Sequence, residues 1–408
     1  MRDVVARKAF RFRVYPSDEQ QAKIGRWESA LRFLWNLANE QRLWGLARAR
    51  DERRYYTAFD QINQLTELRA ELPWLAEVPR NVCAQILVEL DKAWQRCFKK
   101  LSRQPRWKRK GLDHILLCEP HPKAWGLADE GLHFPKLGLM RIVRHRALEG
   151  TPKTCTLVRE VDQWFVAISC EIEAPATVPR IEPVVALDRG LVLLIADSDG
   201  KKIENPRHLK HSLARIAHAQ RIVSRRKKGS KNREKIKVKV AKLHRRVRRQ
   251  RDHVLHEISN AYAKSHGTVI VEKLNVKGMS AAGGAYKMGL NRSILDAGWG
   301  RLVELLRYKL AWSGGTLVEV PAAYSSQTCS HCGAVDARSR LSQSEFCCVV
   351  CDFVDHADLN AAKVLKSRAN RSALPVEGML PESPRRSRKQ LRVPKRLFPE
   401  SSSLLGRG

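Results

Sequence analysis

The chain has 408 residues, and its 76 lysines and arginines against 42 aspartates and glutamates give a formal net charge of +34. With 43% hydrophobic residues it can build two or three folded domains, which excludes disorder of the chain as a whole. Because of this excess of positive charge, we expect a globular protein that binds nucleic acid. An anionic membrane surface is the weaker alternative, since no stretch is apolar enough to enter a bilayer. The start of the chain lacks the apolar core of a signal peptide, so we expect a cytoplasmic protein.

The N-terminal half combines strands with a block of helices. Residues 8–14 alternate apolar and basic side chains, which predicts a strand. Ser17 with Gln20 three positions later forms a capping box, and a helical pattern follows to about residue 100. Short alternating runs in residues 130–175, separated by glycine and proline, predict a small antiparallel β domain or barrel.

Two basic segments are candidates for nucleic-acid binding. The segment PRWKRKG contains Arg106, Trp107 and Lys108, which together could grip phosphates and stack on a base, although a solvated surface loop is the alternative. Residues 207–266 form one long helix or a helical hairpin, and 15 of the 29 residues from Ser224 to Asp252 are basic. A spaced apolar stripe beneath this charge predicts a rigid basic ridge packed on the protein. A solvated charged face is the alternative, but charge of almost one sign repels itself without an anionic partner. The candidate contact residues of the ridge are Arg225, Arg226, Lys227, Lys228 and Lys231.

Five cysteines near the C-terminal end predict a metal site. Cys329 and Cys332 form one pair with a two-residue gap, and Cys348 and Cys351 form a second, which is the ligand set of a structural zinc ribbon. Cys347 lacks this spacing and is expected to point away. Because four thiolates leave no open position, the zinc would hold a loop together without catalysing a reaction; a redox or disulfide role is the alternative.

Three acidic residues predict a second, catalytic metal site. Asp188 and Glu272 each lie in a strongly apolar strand, and Asp358 opens a helix after the last cysteine pair. Buried carboxylates need a partner, and two Mg²⁺ ions held by carboxylates hydrolyse phosphodiesters. The order strand-Asp, strand-Glu, helix-Asp is that of an RNase H-like nuclease core. Alternatively, each acid could pair with an arginine, such as Arg189 beside Asp188. Asn360 could orient a ligand or a water.

Six longer motifs follow one another in the second half of the chain: ENPRHLK, SRRKKGSKNREK, VEKLNVKGM, SILDAGWG, YSSQTCSHCG and HADLNAA. With these motifs in this order the chain resembles the TnpB family of transposon-encoded, RNA-guided DNA nucleases, the ancestors of the type V CRISPR effectors. The resemblance covers about residues 181–367, and it continues more weakly through KAFRFRVYPSDEQ, ALRFLWN, PWLAEVP, PRWKRKG and HFPKLG.

The resemblance implies an α/β multidomain fold: a RuvC-type nuclease of RNase H fold with an inserted zinc ribbon, and a β-barrel wedge domain carrying a helical recognition domain. The implied domains are the wedge at 1–16 and 112–180, the recognition helices at 17–111, the nuclease at 181–324 and 353–367, the ribbon at 325–352, and a disordered basic tail at 368–408. The implied catalytic acids are Asp188, Glu272 and Asp358 with Mg²⁺, and the implied zinc ligands are Cys329, Cys332, Cys348 and Cys351.

The resemblance also implies partners and leaves several functions open. The implied partners are a guide RNA and target DNA, double-stranded and single-stranded, in a bacterium or archaeon, with a homodimer as an open question. The guide could come from a transposon end, which we favour, or from a CRISPR array. The chain could instead be a guided binder that does not cleave, or an unguided transposition accessory protein. Lys273 and Asp352 depart from the family pattern; the first should leave Glu272 in its role, and the second could alter the turn after the last cysteine.

Overall fold

The structure is a computed structural model that describes residues 5–48, 52, 54–111, 115–173, 178–281 and 283–372. Most of the predicted basic tail, residues 373–408, therefore lies outside the described residues. In the part of the chain that is described, no helix has the length and apolar character needed to cross a membrane.

The described residues of the N-terminal half form seven strands and four helices. In chain order these are β1 (Val5–Tyr15), α1 (Asp18–Ala47), α2 (Ala58–Glu71), α3 (Pro73–Ala76), α4 (Arg80–Phe98), β2 (Leu117–Glu119), β3 (Gly126–Leu127), β4 (Leu132–Phe134), β5 (Gly138–Val143), β6 (Thr151–Glu160) and β7 (Gln163–Glu173). The predicted capping box is confirmed, because the Ser17 hydroxyl accepts from the backbone N–H of Gln20 and the Gln20 side chain accepts from that of Ser17.

The seven strands form one sheet in the order β2-β6-β7-β1-β5-β4-β3, and every pairing is antiparallel. Among the described residues the edge strands β2 and β3 do not pair, so the expected barrel is an open half-barrel. Phe10, Phe12 and Val14 alternate into the core as predicted, and they share one hydrophobic cluster with α1 and α4. The regions expected to be separate wedge and recognition domains thus bury their apolar faces together.

The C-terminal half is built on a second sheet. Its elements are β8 (Val184–Asp188), β9 (Leu193–Asp197), β10 (Lys202–Glu204), α5 (His208–Arg225), α6 (Lys231–Ser265), β11 (Thr268–Lys273), α7 (Val276–Met279), α8 (Ala285–Ala297), α9 (Trp299–Trp312), β12 (Thr316–Pro321), β13 (Glu345–Cys347), β14 (Val354–His356) and α10 (Ala357–Ser372). The strand order is β10-β9-β8-β11-β12. Strands β8, β11 and β12 run parallel to one another, β9 pairs antiparallel with β8, and β10 pairs antiparallel with β9.

Both faces of this second sheet are covered, as its apolar central strands require. Val185, Leu187 and Val271 point to the face packed by α6 and α9. Ala186 and Ile270 point to the opposite face, which α10 covers with Leu365 and Ala369. Because side chains alternate along a strand, the residues that follow Leu187 and Val271 must point toward α10.

The ribbon (residues 325–356) lies between β12 and α10. Its strands β13 and β14 pair in an antiparallel hairpin, so it ends four residues later than the predicted boundary at 352. Helix α10 begins immediately afterwards and continues to Ser372, so residues 368–372, which the sequence assigned to the tail, are helical.

Candidate active site

The structure brings the three predicted carboxylates to one face of the second sheet. Asp188 ends β8 and Glu272 lies one residue before the end of β11, and these strands are adjacent and parallel, with Leu187 opposite Val271. Because of the alternation along these strands, both side chains point toward α10. Asp358 lies in the first turn of that helix. Residues far apart in sequence therefore converge because two parallel strands end together where a helix begins.

The three acids repel one another electrostatically. Burial, followed by the charges of Glu272 and Asp358, raises the pKa of Asp188 well above the usual range for a carboxyl group. Such mutual repulsion is relieved by a cation, and carboxylate oxygens are the ligands that Mg²⁺ prefers.

Arg189 does not neutralise Asp188 in the way the alternative interpretation allowed. Its side chain, only 6% exposed, donates to the backbone carbonyl of Glu272. Its backbone N–H lies 3.4 Å from the Glu272 carboxylate. Burial lowers the pKa of the guanidinium. Arg189 thus ties the ends of β8 and β11 together and leaves the Asp188 carboxylate to the site.

Sequence reasoning missed Arg340, a ribbon residue that reaches the acids. Its Nη2 lies 3.3 Å from Oδ1 of Asp358, and both side chains are largely buried. Its positive charge also lowers the pKa of Asp188, against the larger effects that raise it. No local pattern could have identified it, since one of the two arginines of the ribbon, Arg338 and Arg340, carries no spacing signal that separates it from the other.

Asn360 does not have the role that we expected. Its side chain is fully buried, and Oδ1 accepts from the backbone N–H of Ser330 at 2.8 Å while Nδ2 donates to the carbonyl of Thr328 at 2.8 Å. Both polar atoms are thus engaged by the ribbon, and the expectation that this amide orients a ligand or a water is wrong. An asparagine at this spacing looks the same in sequence whichever side of the helix it faces.

The four cysteines chosen from their spacing form one cluster, whose sulfur atoms all lie within 4.8 Å of one another. The Sγ atoms of Cys329 and Cys351 are 3.8 Å apart, and those of Cys332 and Cys348 are 3.6 Å apart. With Zn–S bonds of about 2.3 Å, tetrahedral geometry requires about 3.8 Å between sulfurs, so the cluster fits zinc. Backbone N–H groups of Val350 and Cys351 lower the pKa of Cys348 to about 7, whereas burial raises the pKa of Cys329 and, together with hydrogen bonds with neighbouring thiols, that of Cys351.

The backbone of the ribbon accounts for its two unusual positions. Cys347 lies outside the cysteine cluster, as its spacing predicted. Asp352 has φ +54°, a left-handed conformation that favours glycine. Its N–H nevertheless donates to the carbonyl of Cys348 at 3.0 Å, so the turn closes with aspartate in place of glycine.

The basic ridge is a helical hairpin made of α5 and α6. The five predicted contact residues of the ridge lie at its tip, from the end of α5 to the start of α6, and all are exposed. Arg233 holds this turn in shape by donating to the carbonyls of Val223 at 2.9 Å and Arg226 at 2.8 Å. The tip therefore presents cationic side chains on an ordered backbone.

Further along α6 the ridge is docked on the first sheet through the turn between β6 and β7. The buried carboxylate of Glu160 accepts hydrogen bonds from Arg11 at 2.7 Å, from Arg249 at 2.9 Å and from Arg248. Asp162 in the same turn pairs with Lys242 and Arg245, which hold the pKa of its carboxyl at about 2. These cations of α6 fasten the two halves of the protein together, whereas those at the tip remain exposed.

The predicted basic loop is pinned to α1. Asn36 exchanges hydrogen bonds with the backbone of Lys108 at 2.8 and 3.1 Å, and the Trp35 indole donates to the carbonyl of Arg106. The ammonium group of Lys108 lies 4.7 Å from the centre of the Trp35 ring, so it stacks within the protein. Trp107 is 45% exposed and leaves a ring face open for stacking.

Three family models match separate parts of the chain. A model described as "Probable transposase" (OrfB_IS605) matches residues 167–282, and one described as "Cas12f1-like, TNB domain" matches residues 299–365. A third, described as "Helix-turn-helix domain", matches residues 1–50, where the structure has strand β1 followed by the single helix α1.

Two bacterial proteins are similar to nearly the whole chain. The "Putative RNA-guided DNA endonuclease InsQ" of Escherichia coli (strain K12) is 33% identical over 374 residues, covering 87% of this chain and 90% of that protein. A "Putative RNA-guided DNA endonuclease" of Streptomyces pristinaespiralis is 34% identical over 384 residues, covering 92% of each. Among solved structures, the Cas12f1 chain of a complex with sgRNA and target DNA aligns with a TM-score of 0.54 at 13% identity, covering 88% of this chain and 98% of that chain. That likeness concerns the fold.

Proposed function

Because the chain belongs to the TnpB (OrfB_IS605) transposase family, we propose that it is an RNA-guided, Mg²⁺-dependent DNA endonuclease with a single RuvC-type site. The observation that supports this most directly is the convergence of Asp188, Glu272 and Asp358 on one face of the second sheet. The names of the two bacterial relatives support the same class of reaction.

We assign the second sheet and α10 to an RNase H-like nuclease fold. Three features support the assignment: two antiparallel strands at one edge, three parallel strands, and the acids at the ends of the central pair. The ribbon, inserted between β12 and α10, would then load target DNA into the site. The first sheet and α1–α4 would act as the wedge and recognition domains, within the boundaries predicted from the sequence.

In this proposal the residues that bind the metal come from β8, β11 and α10. Asp188, Glu272 and Asp358 would hold Mg²⁺, which when bound supplies an activated water and stabilises the leaving oxygen. Arg189 keeps the ends of the strands together, and so fixes the distance between the first two carboxylates. Arg340, which pairs with Asp358, would add a positive charge beside the acids that could contact the phosphate of a bound strand.

Base pairing with the guide would read the target, and the protein would read only a short duplex motif beside it. The exposed cations at the tip of the α5–α6 hairpin are suited to the RNA backbone, whose phosphates need positive charge and no sequence readout. Trp107 could stack on an unpaired base. We favour a guide derived from a transposon end, since the family model that matches residues 167–282 is described as a probable transposase.

The test combines RNA sequencing with a cleavage assay. The protein is expressed with its native flanking DNA, its bound RNA is sequenced, and the complex is given matching target DNA with and without Mg²⁺. The proposal expects RNA overlapping the 3′ end of the gene and Mg²⁺-dependent cleavage that Glu272→Gln abolishes. Glu319→Gln is the matched control, because Glu319 lies on the adjacent strand β12 and pairs with Arg307.

Each further outcome identifies a different function. RNA from a repeat-spacer array would indicate a CRISPR effector. Bound RNA and target binding without cleavage would indicate a guided binder, and protein without RNA would contradict the guided proposal altogether.

A further inference from the structure

Asn360 connects the two candidate metal sites. Its amide is hydrogen-bonded to the backbone on both sides of Cys329, through the N–H of Ser330 and the carbonyl of Thr328. Asn360 itself lies two residues after Asp358 in the first turn of α10. We infer that Asn360 is a positioning residue through which zinc ligation at Cys329 raises the Mg²⁺ affinity of the three carboxylates. This inference rests on the proposed function.

The geometry of a helix makes the connection possible. Residues two apart are separated by about 200° around the axis, so Asp358 can face the sheet acids while Asn360 faces the ribbon. Asn360 is 0% exposed, so bulk water cannot replace a hydrogen-bond partner that moves away. A buried amide without partners is costly, so if the Cys329 turn shifted, the first turn of α10 would shift with it. The carboxylate of Asp358 would then move relative to Asp188 and Glu272.

Further contacts make this junction stiff. Arg368, near the other end of α10, donates to the carbonyls of Pro321 at 3.0 Å and Ala323 at 2.8 Å and lies 3.3 Å from the Thr328 hydroxyl. The N–H of Ala357 donates to the carbonyl of Ser344 in the ribbon at 3.0 Å. Helix α10 is thus held against the ribbon at its start and along its length. Arg368 reaches the Thr328 side chain from the far end of α10, whereas Asn360 joins the first turn of the helix, where Asp358 lies, to the backbone on both sides of Cys329.

The experiment measures metal binding and not cleavage. The full-length protein, as purified with zinc, is titrated with Mg²⁺ in a calorimeter, before and after zinc is removed by a chelator. The variant is Asn360→Ala. The control is Ser367→Ala, an exposed position of the same helix. A second readout is the rate at which each protein loses zinc to the chelator.

We expect Asn360→Ala to weaken Mg²⁺ binding about tenfold, within the range of about 5–150-fold that is typical for coupled sites, and to speed the loss of zinc. Ser367→Ala should behave as the wild type. Removing zinc from the wild type should weaken Mg²⁺ binding by a similar factor, reversibly on adding zinc back. In Asn360→Ala, removing zinc should have little further effect, because the connection is already broken.

Two results would overturn the inference: Mg²⁺ affinity in the wild type that does not change when zinc is removed, or Asn360→Ala with wild-type Mg²⁺ affinity. If Asn360→Ala does not fold, as judged by circular dichroism, the removal and return of zinc in the wild type decides alone. A wild-type protein that binds neither zinc at the cysteines nor Mg²⁺ at the acids would instead refute the proposed function.

Discussion

Replacing Glu160 with glutamine should destabilise the protein by about 2–3 kcal/mol, because one buried carboxylate holds helix α6 on the first sheet. Glu160 is 9% exposed and accepts hydrogen bonds from Arg11, Arg248 and Arg249. In a site without water, each of the three hydrogen bonds to the charged carboxylate would contribute about 1.5–3 kcal/mol to the free energy of unfolding. The three guanidinium groups are about half exposed, so water solvates them after the substitution, and each contribution falls toward about 1 kcal/mol.

The assay is thermal unfolding of the wild type and two variants in the absence of nucleic acid. For a chain of this length, about 2–3 kcal/mol corresponds to a lowering of the melting temperature by roughly 3 °C. The matched control is Glu171→Gln on β7 of the same sheet. Glu171 also has two cationic partners, Arg7 and Lys153, but in an exposed setting, so its replacement should have a much smaller effect on the melting temperature.

Salt provides a second discriminator, since ions screen exposed pairs more strongly than buried ones. The effect of Glu171→Gln should vanish at high salt, whereas most of the effect of Glu160→Gln should persist. Equal melting temperatures for the two variants would refute the reasoning, because they would show that burial of Glu160 adds nothing to the docking of α6.

Three further predictions concern the site and the ridge. Because the pKa of Asp188 is raised, the contribution of this one carboxyl to the stability of the metal-free protein is fully present below its usual pKa of about 4 and is lost as the pH rises through the raised value. Asp188→Asn should remove this part of the pH dependence in melting curves from about pH 4 to about pH 8, and a profile identical to that of the wild type would count against repulsion among the acids. Arg340→Ala should slow cleavage at least about tenfold with RNA binding intact, whereas a wild-type single-turnover rate would show that this arginine is only structural. The double variant Lys227→Glu, Lys228→Glu should weaken RNA binding. The slope of the logarithm of the binding constant against the logarithm of the salt concentration should fall in magnitude by about 0.7 for each RNA phosphate that the lysines no longer neutralise. An unaltered slope would show that the RNA binds elsewhere.

Local sequence patterns predicted several of the elements and most of the residues that the structure brings together in the two candidate sites. Alternation in residues 8–14 predicted β1 and its buried face, and the capping box predicted where α1 begins. Cysteine spacing selected the four thiols that the fold brings together and excluded Cys347. Acids in apolar strands indicated Asp188 and Glu272. These signals are readable because periodicity, capping and ligand spacing depend on residues close together in the chain.

The tertiary structure decided which side chains these residues meet. Arg340 and Asp358 are 18 positions apart, Asn360 and Ser330 are 30 apart, and Glu160 and Arg249 are 89 apart. Nothing in the neighbourhood of such residues specifies a distant partner, because the same arginine or asparagine fits a solvated surface equally well. The sequence by itself therefore predicted the longer elements, the four thiols that cluster and the three acids that converge. Only the folded chain decided that Arg340 of the ribbon contacts Asp358 and that Asn360 of α10 is bonded to the ribbon, since these contacts depend on how β12, the ribbon and α10 pack in space.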